Sequence, residues 1–149
     1  ELEECLILCD TQMPHESGHI HQRQRMDFDN GRKATELKDV VSLCRKMHHH
    51  LIRGELSDFG RALHAAWQMK RGLTASVSNS RVDDLYSIAM SAGALGGKLL
   101  GAGGGGFFLF FVQPRFRKAV TENLKSAGCR ISAFRFESRG VVSWRTKLI

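Results

Sequence analysis

Eight of the fourteen residues from Gly93 to Gly106 are glycine, four of them consecutive (Gly103 to Gly106), and the run ends on a solid apolar block, Phe107 to Val112. Glycine loses more conformational freedom on folding than any other residue, so such a run belongs where backbone must pass close to another group or take a positive φ. The apolar block can only be a buried strand or core segment. Leu99-Leu100 before the glycines and Phe107-Phe108 after them imply a loop pinned between buried strands, and peptide N–H groups freed of side chains can cradle an anion. Two nucleotide-binding signatures fail here. Gly101-x-Gly103-x-x-Gly106 has the dinucleotide spacing, but a strand follows it, so no helix N-terminus would meet a pyrophosphate. Gly97-Lys98 is followed by Leu99 rather than Ser or Thr, and Ala92 stands at the first glycine position of a P-loop.

Around this segment the apolar spacing changes period. The run from Glu4 to Cys9 reads as a buried strand, with Cys5 and Cys9 on one face. Residues 10–31, with Pro14, Gly18 and Gly31, read as a long loop or short helix. Leu37, Val40, Val41, Cys44, Met47 and Leu51 predict a helix over 34–53 that Gly54 stops. A second helix over 55–71 turns Phe59, Leu63, Ala66 and Trp67 inward. A third opens on Ser80-Arg81-Val82-Asp83, a capping-box-like start, and buries Leu85, Ile88, Ala89 and Ala92. Pro114 opens a helix over 115–127 that presents Phe116, Ala119, Val120 and Leu124. Residues 130–136 and 141–144, across Ser138-Arg139-Gly140, read as a hairpin. The order is strand, three helices, glycine-rich turn, strand, helix, strand, strand. This favours an α+β sandwich with a mostly antiparallel sheet packed against helices.

The 149 residues suffice for one core, and 42% hydrophobic with 25% charged is the mix of a globular chain. No apolar run approaches the ~20 residues that span a bilayer, and the acidic start is no signal peptide. That start reads as the cut edge of something longer. The net charge of +7 is lopsided: residues 1–113 hold 13 basic and 13 acidic side chains, whereas residues 114–149 hold nine basic against Glu122 and Glu137. A basic end suits phosphate-bearing ligands or nucleic acid. Four cysteines without a C-x-x-C pair point to a reduced, cytoplasmic setting. His15, His19, His21 and His48 to His50 complete no familiar metal spacing, so no metal site is expected.

The glycine segment, Gly97-Lys98-Leu99-Leu100-Gly101-Ala102-Gly103-Gly104-Gly105-Gly106-Phe107, resembles the third conserved motif of the GHMP kinases. The likeness continues upstream through Ala65-Ala66-Trp67-Gln68-Met69-Lys70, Val77-Ser78-Asn79-Ser80, Asp83-Asp84-Leu85-Tyr86 and Gly93 to Lys98. These stretches resemble the branch of the heptose 7-phosphate kinases and fucokinase-like enzymes. At Asp10-Thr11-Gln12, Gln12 stands where many of that family carry glycine.

The resemblance implies a ferredoxin-like C-terminal domain. The phosphate-loop motif and catalytic aspartate of an N-terminal domain are absent from residues 1–149. It implies ATP and Mg2+ as cofactors of the full enzyme, a sugar-phosphate acceptor, the N-terminal domain as partner, and an inactive isolated chain. The motif would close over the reaction centre through Gly101, Ala102, Gly103, Gly104, Gly105 and Gly106. Trp67, Lys70 and Lys98 are candidate substrate contacts. Against these stand a core ring for Trp67, a solvated helix-end cation for Lys70 and a loop-stabilising role for Lys98. Ser78 and Asn79 precede a helix N-terminus and serve either as caps or as an anion site. An apolar patch beside the glycine loop, open to self-association, is expected where the partner domain would sit. The rival readings are a nucleic-acid-binding ferredoxin-like module and a small-molecule regulatory domain. Adjacent aromatics at Phe107, Phe108, Phe110 and Phe111 argue against an RNA-binding sheet because they fall on both faces of a strand.

Overall fold

The computed structural model describes residues 1–13, 34–73 and 77–146. Strand β1 (Leu6–Asp10) leads to three helices, α1 (Ala34–Ile52), α2 (Leu56–Leu73) and α3 (Ser80–Ser91). Strands β2 (Ala94–Leu99) and β3 (Phe107–Val112) follow, then α4 (Arg117–Ser126) and β4 (Arg130–Ser132). The four strands form one sheet in the order β2-β3-β1-β4, every pair antiparallel. With α3 and α4 as its two helices, this is the split β-α-β-β-α-β arrangement of a ferredoxin-like sandwich.

Strand periodicity divides the apolar residues between two cores. Ile7, Cys9, Leu99, Phe108, Phe110 and Val112 face α3 and α4, packing against Val82, Leu85, Tyr86, Ala89, Val120 and Leu124. Leu6 and Phe111 face the other way, joined by Cys5 and by Leu63 of α2. Phe108 and Phe110 thus lie on one face and Phe111 on the other, as the adjacent-aromatic pattern requires. Cys5 and Cys9 belong to different cores: Cys5 closes a 3-10 turn, Glu3–Cys5, so the strand begins at Leu6 and the two thiols share no face.

Several expectations need correction. The glycine-rich turn is not all turn, because its first half is β2, and the loop shrinks to residues 100–106. Gly96 and Gly97 suggested loop, but they are glycine so that other groups can touch this strand. A Cβ at Gly96 would lie 2.1 Å from the carbonyl oxygen of Gly60 on α2, and one at Gly97 would lie 2.4 Å from the Phe110 ring. Helix α1 turns Leu37, Val41 and Leu51 outward, because it packs mainly on α2 and not on the sheet. Its half-buried stripe is Val40, Leu43, Met47 and His50. The cap of α3 is Asn79, one residue before the expected Ser80, and its side chain accepts the Val82 N–H at 2.9 Å. In α3, Ile88 and Ala92 are only partly buried. The helix begun by Pro114 is a 3-10 turn (Pro114–Phe116) before α4, with Phe116 and Ala119 exposed. The C-terminal hairpin does not form: β4 ends at Ser132, and Val141 is 100%, Val142 62% and Trp144 79% exposed. Among the described residues, the exposed large apolar side chains are Phe107 at the loop's end, Met69 on α2, Phe116, and others on α1 and on residues 136–144. The loop-or-helix reading of residues 10–31 falls almost wholly outside the described residues.

The Gly60–Gly96 crossing gives a test. Gly96→Ala is expected to cost about 2 kcal/mol or more in chemical denaturation, since a methyl group has no room against backbone. Gly72→Ala, within α2 with nothing inside 4 Å of its Cβ, should be neutral or stabilising by about 0.5 kcal/mol. Equal effects at the two sites would contradict this packing.

Candidate functional site: a glycine loop held from three sides

The loop from Leu100 to Gly106 joins two paired strands, and positive φ at Gly101 (+69°), Gly103 (+132°), Gly104 (+77°) and Gly106 (+92°) sets its path. A side chain at any of these would be strained. The loop is held at both ends and in the middle. Leu100 N–H donates to Phe107 O at 2.8 Å, closing the hairpin. Thr11, just past β1 and only 2% exposed, gives both its N–H and its hydroxyl to Gly106 O, each at 2.8 Å. In the middle, Gly104 N–H donates to Val77 O at 3.0 Å and Asn79 Nδ2 donates to Gly104 O at 2.9 Å. A Cβ at Gly103 would stand 2.7 Å from Val77 Cα, so this contact requires glycine. Asn79 therefore caps α3 with its oxygen and ties down the loop with its nitrogen. Ser78 donates to Asp83 at 2.6 Å, and Arg71 pairs with the same carboxylate at 3.0 Å, so residues 77–79 are themselves rigid.

A further attachment comes from Lys70, in the last turn of α2. Its Nζ donates to Gly101 O at 2.5 Å and lies 3.4 Å from Leu99 O. Burial lowers the Lys70 ammonium to about 8, and the charge of Lys98 adds to the fall. Among the described residues no carboxylate pairs with it. Lys70 is thus not a freely solvated cation at the helix end but is bonded to the loop's entrance.

Trp67 is fully buried. Its ring lies 5.7 Å from Phe108 and 5.9 Å from Tyr86, and it offers no face to a ligand. Lys98 is half-buried on the opposite sheet face from Phe108, paired with Leu109 across the hairpin, with no hydrogen bond or ion pair among the described residues. The structure therefore brings Lys70 to the glycine loop, leaves Trp67 in the core beneath it, and places Lys98 beside its entry.

Three further features shape this site: Gln12, the Asp10–Arg130 pair and the Tyr86–His64 pair. Gln12 takes a positive φ of +56°, the conformation a glycine adopts freely, so the chain turn after β1 is kept without one. Both its N–H and its Nε2 hydrogen-bond the Asp10 carboxylate, at 2.9 and 2.5 Å. The Gln12 backbone bond holds that carboxyl below its usual range, with Arg130 assisting at 2.8 Å. Tyr86 and His64 form the third feature, with Tyr86 OH 2.7 Å from His64 Nδ1 and the rings stacked. Burial raises the Tyr86 phenol to about 12, so the hydroxyl stays protonated beside the imidazole, and the nearby Gly97 N–H of edge strand β2 opposes that rise. The pair clasps the edge of β2 between α2 and α3. A tyrosine and a histidine 22 residues apart on two helices carry no sequence signal of such a contact.

The basic C-terminal quarter is partly consumed in structure. Arg117 donates to Glu4 O and Leu6 O, and Arg130 pairs with Asp10. Among the described residues one group could approach metal-ligand spacing, His50, Glu55 and Asp58, but Arg53 and Arg61 already occupy its carboxylates. His15, His19 and His21 lie outside the described residues. No described helix is long and apolar enough to cross a membrane.

The family model of the C-terminal region of GHMP kinases matches residues 47–128, from the end of α1 to the turn after α4. The chain belongs to the GHMP kinase family. The match contains every residue that holds the loop except Thr11. D-glycero-alpha-D-manno-heptose 7-phosphate kinase of Campylobacter jejuni is 28% identical over 145 residues, 97% of this chain and 43% of that protein. L-fucokinase/L-fucose-1-P guanylyltransferase of Bacteroides fragilis is 27% identical over 109 residues, 70% of this chain and 11% of that protein. Among solved structures, L. major mevalonate kinase in complex with R-mevalonate superposes with a TM-score of 0.69 at 20% identity, over 81% of this chain and 37% of its own. The chain spans less than half the length of the curated relatives it matches.

The buried ammonium makes a pH prediction. The folded chain releases the Lys70 proton near 8 and the unfolded chain near the ordinary 10.5. Between these values the unfolded state binds more protons, so this group makes stability rise as pH increases. The difference in Tm between the wild-type chain and Lys70→Met should shift in favour of wild type from pH 7.5 to pH 10. A flat difference would mean that the ammonium is not buried.

Proposed function

We propose that this chain is the C-terminal domain of an ATP-dependent sugar-phosphate kinase. The acceptor is a hydroxyl of D-glycero-D-manno-heptose 7-phosphate or a related sugar, and an N-terminal domain supplies the catalytic groups. The observation that carries this reading is a glycine-rich loop whose path is fixed by four carbonyl contacts, at Leu99, Gly101, Gly104 and Gly106. Ordering such a chain is costly, and the cost makes sense where peptide groups must lie against phosphates and sugar. Family membership supports the reaction class, and the likeness to a heptose 7-phosphate kinase supports the choice of acceptor.

Phosphoryl transfer asks a protein chiefly for position and electrostatic stabilisation. ATP, when bound, supplies the γ-phosphoryl group that passes to the acceptor hydroxyl. The task of this chain is to close over that centre. Gly103 and Gly105 keep the loop free of Cβ atoms, and the Val77–Asn79 segment fixes its depth. Among the described residues, the carboxylates bonded to the segments that hold the loop are Asp10, engaged by Arg130, and Asp83, engaged by Arg71. These two do not fit Mg2+, which this reading assigns to the rest of the polypeptide. The isolated domain is accordingly inactive, and its four free thiols suit the cytoplasm.

The loop is tested by Gly104→Ala in the intact protein. At φ +77° an alanine costs about 1–2 kcal/mol, which the domain should survive where a β-branched valine would be more strained. Turnover with ATP and the heptose phosphate should fall at least about tenfold, as expected when a positioning element shifts. Wild-type turnover in a folded variant, or no transfer to any sugar phosphate by the unmodified protein, would overturn the reading.

A further inference from the structure

We infer that Lys70 is a positioning residue for the transfer reaction: by holding the carbonyls of Leu99 and Gly101 it sets the path on which the chain leaves β2 and enters the glycine loop. This rests on the kinase reading above and adds a residue that acts through the loop rather than on the ligand.

The geometry is specific. Leu99 is the last residue of β2 and Gly101 the first with a positive φ, so the two bonds from one ammonium straddle the point where strand becomes loop. In a trans peptide the C=O and the following N–H point in opposite directions. Fixing Gly101 O therefore fixes the plane of the 101–102 peptide and the direction in which the chain continues to Gly103. Among the described residues nothing lies within 4 Å of a Cβ at Gly101, so none of them packs on this residue as Val77 packs on Gly103. The middle and exit of the loop have Asn79 and Thr11, and its entrance has Lys70.

The choice of residue separates positioning from stability. An ammonium taken out of water is costly unless it is paired, and a second cation nearby adds to the cost. Lys70 is half-buried, has Lys98 as its charged neighbour, and pairs with no carboxylate among the described residues. The other cation in that turn, Arg71, is matched by Asp83, and His64 on the same helix by Tyr86. A methionine of similar length would keep the packing and remove the desolvation. The fold thus bears an unfavourable charge where the loop needs two hydrogen bonds.

The test compares Lys70→Met and Lys70→Arg with the unmodified protein by three readouts. Hydrogen–deuterium exchange of the 149-residue chain reports the loop itself, thermal unfolding reports stability, and steady-state kinetics of the intact protein with ATP and heptose 7-phosphate report transfer. In Lys70→Met, exchange across residues 99–106 should accelerate about tenfold, Tm should hold or rise at pH 7, and kcat should fall about 10–100-fold with KM for ATP changed less than about threefold. Lys70→Arg, which keeps a cation with several donors, should recover most of the loop protection and part of kcat. Unchanged exchange in Lys70→Met would overturn the clamp. A lowered Tm with wild-type kcat would make Lys70 merely structural and would also overturn the inference. If the unmodified intact protein transfers no phosphoryl group, the kinase reading falls and takes the catalytic half of this inference with it, while the exchange data still judge the clamp.

Discussion

Backbone-to-backbone approach around the β2–β3 hairpin is the constraint on which the rest of the structure depends. Helix α2 lies against β2 so closely that Gly60 and Gly96 leave no room for a methyl group between them. Gly97 gives way to Phe110 on the other face, and Gly103 gives way to Val77. Two close backbone contacts thus fix the hairpin, one against α2 and one at its tip, while Gly97 makes room for the Phe110 ring. The dense aromatic packing of Trp67, Tyr86, Phe108 and Phe110 then fills the core beneath. The large side chains supply the buried apolar area, while the glycines decide where the hairpin sits.

This division explains what could be read from sequence. Helices α2 and α3 announce themselves through helical spacing of Leu63, Trp67, Leu85 and Ala89, and β3 through an unbroken apolar block. Strand β2 was hidden because its Gly96 and Gly97 look like loop residues. The reason for Gly96 lies at Gly60 of α2 and that for Gly97 in the Phe110 ring of β3, and no local pattern reports either. The C-terminal stretch failed in the opposite sense. Val141, Val142 and Trp144 have strand-like composition, yet nothing among the described residues pairs with them, and composition alone cannot supply a neighbour. At the site, the loop was legible because four successive glycines are costly. The role of Lys70 was not, because the carbonyls it binds belong to a loop whose path only the fold determines.

Electrostatics at the site follow from the same geometry. Where carbonyls of an edge strand and its loop face a helix, donors are needed, and the chain offers an ammonium, an amide and a hydroxyl at Lys70, Asn79 and Thr11. The amide and the hydroxyl are neutral and cost little to bury. The ammonium is the unfavourable one, and it stands at the entrance, where none of the described residues packs on Gly101. Among the described residues, the carboxylates bonded to the segments that hold the loop are matched internally, Asp83 by Arg71 and Asp10 by Arg130.

The central claim is that the peptide from Gly101 to Gly106 lies against a reaction centre built mostly by another part of the polypeptide. A crystal structure of the intact protein with a non-hydrolysable ATP analogue and a sugar phosphate tests this most directly. The account predicts backbone atoms of Gly103 to Gly105 in van der Waals contact with the bound ligands or with the loop that grips their phosphates, and Lys70 still bonded to Gly101. A ternary complex in which this stretch points into solvent, away from both ligands and from any domain boundary, would contradict it.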